Sequence, residues 1–337
     1  MSSVLSFGEL LLRLSPSQGG DWLQQNSVPA FVGGAEANVA TALALWGQSS
    51  NYCTALPDNF LSKELVAYLQ KKNIGTSAVH YSGDRVGLYY LQQGTDMKNS
   101  GVVFDRAGSS FAKLERGMID WDKAFDGITW FHFSAIAASL SLSAAEVCEE
   151  ALQAAQQKGI SISLDLNYRS KLWLYGKQPK EIMPNLAQYC DLVMGNIWAA
   201  NNMLDIPLNE DLIVQDSKDA YLEHAMQTSR DIQKNFPKVR TVANTFRFDR
   251  GAGIQYYTAL FDQQLSVSAE YGATEVTDKV GSGDCFMAGL IYGFCNNFAP
   301  QQTLDFATAA AFNKLFIKGD TTNQTVESIQ ATIKQHG

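Results

Sequence analysis

Short apolar runs alternate with longer helical stretches along most of this chain, and that alternation constrains the fold more than any other feature. Val4–Phe7, Ser50–Thr54, Trp130–Phe133, Ser161–Asp165, Asp191–Met194 and Val239–Ala243 read as strands. Ala37–Trp46, Phe60–Lys72, Ser143–Lys158, Asp284–Asn297 and Thr303–Ile317 read as helices. Gly47 and Gly159 follow two of them, where a left-handed C-cap favours glycine. A strand, a helix and the next strand join most simply as a right-handed crossover, so the expected product is a parallel sheet wrapped by helices.

Two stretches break the pattern. Arg85–Gln92 (RVGLYYLQ) and Gly101–Arg106 (GVVFDR) read as strands joined by a polar turn, with no helix between them. Together with Leu12–Ser15 they predict a small second sheet, too small to be stable unless it packs on its own domain or on a second copy. Asp205–Asp219 reads as a surface loop. With no linker and no internal repeat, residues 1–337 are expected to form one domain, with accessory strands from about 10–16 and 85–106.

Hydrophobic residues make up 46% of the 337 and charged residues 18%, enough apolar material for a large core. The net charge of −8 argues against a nucleic-acid partner, which calls for a basic face. An anionic small molecule remains compatible, since a few placed arginines suffice. Five dispersed cysteines, without a CxxC pair, suit a reducing cytosol and argue against zinc or disulfides. The start reaches Glu9 and Arg13 too soon for a signal peptide, and no apolar run is long enough to span a membrane. A cytoplasmic protein is expected.

Three segments carry chemistry. The first is Asp278–Gly289, DKVGSGDCFMAG. Gly281, Ser282 and Gly283 precede Asp284 at the start of an apolar helix, so backbone N–H groups can gather around an anion beside a carboxylate. That arrangement suits phosphoryl transfer, with Asp284 accepting a proton from an attacking hydroxyl. An ordinary glycine turn with Asp284 as N-cap is the plain alternative. The second is Val32–Trp46, VGGAEANVATALALW, where Asn38 can donate to and accept from a pair of sugar hydroxyls. Its alternative is a buried alanine-rich helix. The third is Leu164–Trp173, LDLNYRSKLW, which brings Asp165, Asn167 and Arg169 to a strand end. Ligands of open parallel sheets bind beyond the strands' carboxyl ends. Gly8-Glu9, Ser134, Asn196 and Asn244-Thr245 belong to the same edge.

The early GGAEANVA and late DKVGSGDCFMAG resemble the two signatures of the ribokinase, or phosphofructokinase-B, sugar kinases, in the same order and over essentially the whole chain. The resemblance implies a Rossmann-like three-layer α/β/α sandwich with a small β-sheet lid. It also implies ATP with Mg²⁺ as phosphoryl donor and a sugar hydroxyl as acceptor. It admits a monovalent cation such as K⁺. A homodimer through the lid is expected from the small size of that sheet and its apolar Val86, Leu88, Val102 and Phe104. FGELLLRLSP, GLYYL, FDRAGS, DLNYRSKLW and a late KGD look most like the 2-keto-3-deoxygluconate kinases. By that resemblance Gly34 and Asn38 would hold sugar hydroxyls and Tyr89 would lie over the sugar. Arg106 and Arg169 would meet the acid's carboxylate, and Asp284 would be the base. Gly281, Ser282 and Gly283 would form the anion hole. Asn196, Asn244, Arg247, Gly281 and Gly283 would meet the nucleotide. No metal ligand is assigned.

Three departures stand out. The family's Asn-x-x-Glu is Asn196-Ile197-Trp198-Ala199 here, so Ala199 replaces a carboxylate that helps organise Mg²⁺. The usual glycine-containing nucleotide loop is NTFRFDRGAG, residues 244–253, with Arg247 or Arg250 as phosphate contacts. Phe104 stands where the most similar kinases often carry Tyr. The leading expectation is an ATP-dependent kinase of a keto-deoxy sugar acid. A kinase of fructose or ribose and a non-catalytic sugar- or nucleotide-binding relative are the alternatives. No GxGxxG follows the first strand, which sets a nicotinamide dehydrogenase aside.

Overall fold

The structure, a computed structural model, describes all residues except 1, 17–21, 24, 25, 93–100, 213–216, 252 and 337. Strand β1 (Ser3–Phe7) lies inside the main sheet, with Val4 buried on one face and Leu5 and Phe7 on the other. It pairs in parallel with β4 (Ser49–Leu56) on one side and β8 (Trp130–Ser134) on the other. The parallel series extends through β5 (Ile74–Tyr81) at one edge. On the other side it continues through β9 (Ser161–Asp165), β10 (Leu192–Gly195) and β11 (Thr241–Arg250). Strand β12 (Gly253–Phe261) then turns the sheet antiparallel, carrying β13 (Leu265–Val267) and β14 (Tyr271–Ala273).

Alternation along each strand divides the apolar side chains between two helical layers. Leu5, Phe7, Phe131, Phe133, Leu164 and Val193 join one core. Helices α3 (Trp121–Ala124), α5 (Leu142–Gln157) and α6 (Pro179–Ala187) cover that core, after the short α4 (Ala135–Ala138) that follows β8. Helix α7 (Ile197–Leu204) adds Met203 to it, and α8 (Lys218–Asn235) adds Ile232. Val4, Leu192, Met194 and Ala243 face the opposite layer. There lie α1 (Ala35–Leu45), α9 (Ser282–Cys295), α10 (Pro300–Lys314) and α11 (Val326–His336). Helix α2 (Phe60–Lys71) packs beside β5 over a satellite cluster around Leu65 and Leu69.

The second sheet has four strands in the order β3 (Ala30–Gly33), β2 (Leu11–Leu14), β6 (Gly87–Leu91), β7 (Val102–Asp105). Three match the expected strands and β3 adds a fourth. The expected polar turn between β6 and β7 falls largely on 93–100, outside the described residues. Leu11, Tyr89, Leu91 and Val102 point inward and meet Val280 of the glycine turn.

Two expectations need correction. The strand expected over Val239–Ala243 does not end there: β11 runs on to Arg250 and pairs with β12 through Arg250↔Gly253. The alternation in NTFRF explains this, with Phe246 buried against Tyr221 and Tyr257 while Thr245 and Arg247 face the other way. Asp205–Asp219 is only partly loop, because α8 begins at Lys218, capped by Ser217. Its residues 213–216 lie outside the described residues.

Candidate active site

The carboxyl ends of β9, β10 and β11 open into a cavity of about 450 Å³, closed on its far side by the start of α9 and by Phe104 of β7. Gly281 caps α9 in the left-handed region, at φ 79°. A Cβ there would sit 1.9 Å from the carbonyl oxygen of Asp320, so only glycine permits the turn. Ser282, Gly283 and Asp284 form the first turn of α9 and line the cavity with Gly281. Their amide N–H groups lie where helices leave donors without intrahelical partners, at the positive end of the dipole. Asp284 is therefore the third residue of the helix, not its N-cap.

Asp284 is buried, and its carboxylate accepts a 2.7 Å hydrogen bond from the Asn38 side-chain amide. Burial pushes its pKa up to about 8, with the nearby Asp165 acting in the same direction and Asn38 opposing. Asp165, at the end of β9, is raised by burial to about 7. Asn38 follows Gly34, which takes φ 131° to start α1; a Cβ there would meet the Glu9 carbonyl oxygen at 2.5 Å. With its amide spent on Asp284, Asn38 keeps a buried Oδ1 that finds no donor among the described residues. A buried acceptor without a partner costs free energy, so this oxygen asks for a ligand hydroxyl.

Positive side chains dominate the cavity wall. Arg169, Lys171, Arg247 and Lys279 line it, against Asp165 and Asp284 as the carboxylates among its described lining residues. Asn196 lines it too, while its side chain caps α7 on Ala199 N–H at 2.8 Å. Asn244 points elsewhere: it is buried, donates to Ser229 and leaves the wall to Thr245 and Arg247. Arg106 is buried with its Nε on the Glu9 carboxylate, which also takes the Ser109 hydroxyl. It is not among the cavity-lining residues, whereas Arg169 is. Tyr89 is buried on the inner face of the lid, donating to Asp320 at 2.8 Å.

Sequence reasoning missed a set of buried ionisable residues. Glu36 is fully enclosed, accepts from the Ser134 N–H and hydroxyl, and has its pKa raised by burial. Arg13 stands 2.7 Å from Asp320 and 3.1 Å from Asp278. The Asp320 contact is an ion pair out of hydrogen-bond alignment, whereas Asp278 accepts a formed hydrogen bond. These partners are distant in the sequence, and no local pattern announces them.

A parallel sheet with a glycine-turned helix N-terminus, a carboxylate beside it and a cationic wall defines a phosphoryl-transfer enzyme. The chain belongs to the pfkB family of carbohydrate kinases, whose profile matches residues 1–325. It is similar to the crystal structure of 2-dehydro-3-deoxygluconokinase from Thermotoga maritima, with 33% identity, a TM-score of 0.89 and coverage of 99% of this chain and 98% of that one. It is 25% identical to a 2-dehydro-3-deoxygalactonokinase of Haloferax volcanii, over 99% of this chain and 97% of the relative. A putative ribokinase II from E. coli, solved in complex with ATP and Mg²⁺, shares the fold at 17% identity and a TM-score of 0.78, with full coverage of both chains. The expected three-layer fold and kinase class therefore hold. Among the described residues no helix is long and apolar enough to cross a membrane.

Proposed function

We propose that this chain transfers the γ-phosphoryl group of ATP to a terminal hydroxyl of a keto-deoxy sugar acid, most simply 2-keto-3-deoxygluconate. The observation that carries this reading is Arg169 and Asp284 on one cavity wall. A planar guanidinium pairs with a carboxylate, and such charged hydrogen bonds contribute roughly 1.5–3 kcal/mol. The kinases of two keto-deoxy sugar acids among its relatives support the same class.

The sugar's hydroxyls would meet Gly34 and the unpaired Oδ1 of Asn38, with Tyr89 above them. Arg169 would take the acid's carboxylate. Arg106, its Nε already on Glu9, would add its remaining donors from the lid side. Asp284 would accept the hydroxyl proton as the oxygen attacks the phosphoryl group. The N–H groups of Gly283 and Asp284 would stabilise the charge on the transferring oxygens. On the nucleotide side, Asn196, Thr245, Arg247 and Lys279 would meet ATP, with Asn244 acting only through Ser229. Magnesium arrives on the nucleotide and needs one or two carboxylates besides water and phosphate. The wall fits that need: Asp165 would hold the ion where Ala199 leaves no carboxylate.

The lid supports a homodimer. Register places Leu14, Leu88, Tyr90 and Val103 on its outer face beside Asp105, and Val103 is 61% exposed. The five free cysteines fit a reducing cytoplasm. The test of function is ADP release from MgATP across a panel of sugar acids and neutral sugars. Turnover confined to fructose or ribose would replace the acid with the neutral-sugar reading.

A further inference from the structure

Lys314, the last residue of α10, has a side chain with no exposed surface. It is the one fully buried lysine among the described residues, and an isolated buried ammonium is costly. Its Nζ donates to the Ile317 carbonyl at 3.0 Å. Its Cε lies 3.4 Å from where a Cβ on Gly281 would stand, so the ammonium stem runs directly behind the phosphate-binding turn. Asp278 and Asp320 are its electrostatic partners and Arg13 is the second cation of the group. Asp278 also accepts the N–H groups of Val280 and Gly319, at 3.0 and 3.1 Å, and so pins both sides of the turn.

Two carboxylates and two cations make this group neutral. Without Lys314 it would carry a net negative charge behind the helix N-terminus that must receive an anionic phosphoryl group. Carbonyl and carboxylate oxygens are also the ligand set of a hard free cation. Here that position is filled from within the chain, so these residues do not fit the K⁺ that the resemblance admits.

We propose that Lys314 is a positioning residue whose buried ammonium supplies the charge a free monovalent cation would otherwise supply behind the phosphate-binding turn, leaving this kinase independent of K⁺. The proposal rests on the kinase reading of the cavity, though not on the identity of the sugar.

Two measurements test it. Affinity for MgADP, by calorimetry and without sugar, and turnover of MgATP with the best acceptor are each followed as KCl replaces choline chloride at constant ionic strength, up to about 100 mM. The wild-type chain is expected to show neither response. In Lys314→Met, both quantities should fall at least about tenfold in choline, the change that about 1.4 kcal/mol represents. Added K⁺ or NH₄⁺ should restore part of the loss, which a merely structural defect would not allow. Activation of the wild type by K⁺ would overturn the proposal, as would a Lys314→Met chain that matches the wild type in choline. Should Lys314→Met fail to fold by circular dichroism, the wild-type K⁺ titration decides alone. Failure of the sugar-acid reading leaves the MgADP measurement intact, since it needs no acceptor.

Discussion

Asp284 is held in a setting that a structural carboxylate would not need. It is buried, faces Asp165 and has one amide donor, Asn38. Both carboxyls are raised by burial, to about 8 and about 7, so each favours its protonated form below those values. A base must be ionised to act. The kcat/KM profile should therefore rise with pH through a limb between about 7 and about 8 and level off above it. A flat profile across that range contradicts the assignment. The sign for stability is opposite. A raised carboxyl costs nothing below its unfolded pKa and loses stability as pH climbs through the folded value. Asp284→Asn keeps the Asn38 hydrogen bond through its amide oxygen and removes that loss. It should lower turnover about 10²–10⁴-fold while its Tm at pH 8 equals or exceeds that of the wild type. Turnover near the wild-type rate, or a large drop in Tm, would argue against the role. Asp284, Asn38 and Arg169 were legible in the sequence because each sits beside a strand end or glycine turn. Glu9 was legible as a strand-end group but its pairing with Arg106 was not, and Glu36, Arg13, Asp320 and Lys314 were given no role, since each is defined by partners from distant segments.

Among the elements, the turn into α9 decides whether the site exists. Its left-handed Gly281 abuts the Asp320 backbone, and Asp320 in turn holds Arg13 of β2 and Tyr89 of β6. Turn and lid are thus one assembly. Gly281→Ala would incur about 1–2 kcal/mol of backbone strain and a clash that no rotamer relieves. Calorimetric melting should show a fall in Tm, and MgADP affinity should fall with it; an unchanged Tm would mean the turn has another conformation. The glycines made this turn readable in advance. The strand through NTFRFDR was not readable, because its Asn and Asp, and the glycine that follows, look like loop chemistry. Only the buried pairing of Phe246 with Tyr221 and Tyr257 shows why it stays extended. The antiparallel edge β12–β14 was missed because the βαβ rhythm ends before it.

For the whole molecule, the alternation of strands and helices was enough to foretell the layered sheet, since a crossover helix leaves few other arrangements. The lid's partner is a matter of surface rather than pattern. An apolar outer face on four short strands is expected to pair with its copy, so light scattering at micromolar concentration should report a dimer. Val103→Asp should shift that equilibrium toward monomer. A monomeric wild type would leave each lid packed on its own domain alone. The central claim, that an acid is phosphorylated here, is tested most directly by one comparison. The specificity ratio kcat/KM for 2-keto-3-deoxygluconate over fructose and ribose is measured in the wild type and in Arg169→Ala. The account predicts a ratio well above one that falls about tenfold to a hundredfold in the variant, as expected for one charged hydrogen-bonding partner. A preference for the neutral sugars, with Arg169→Ala silent, would contradict it.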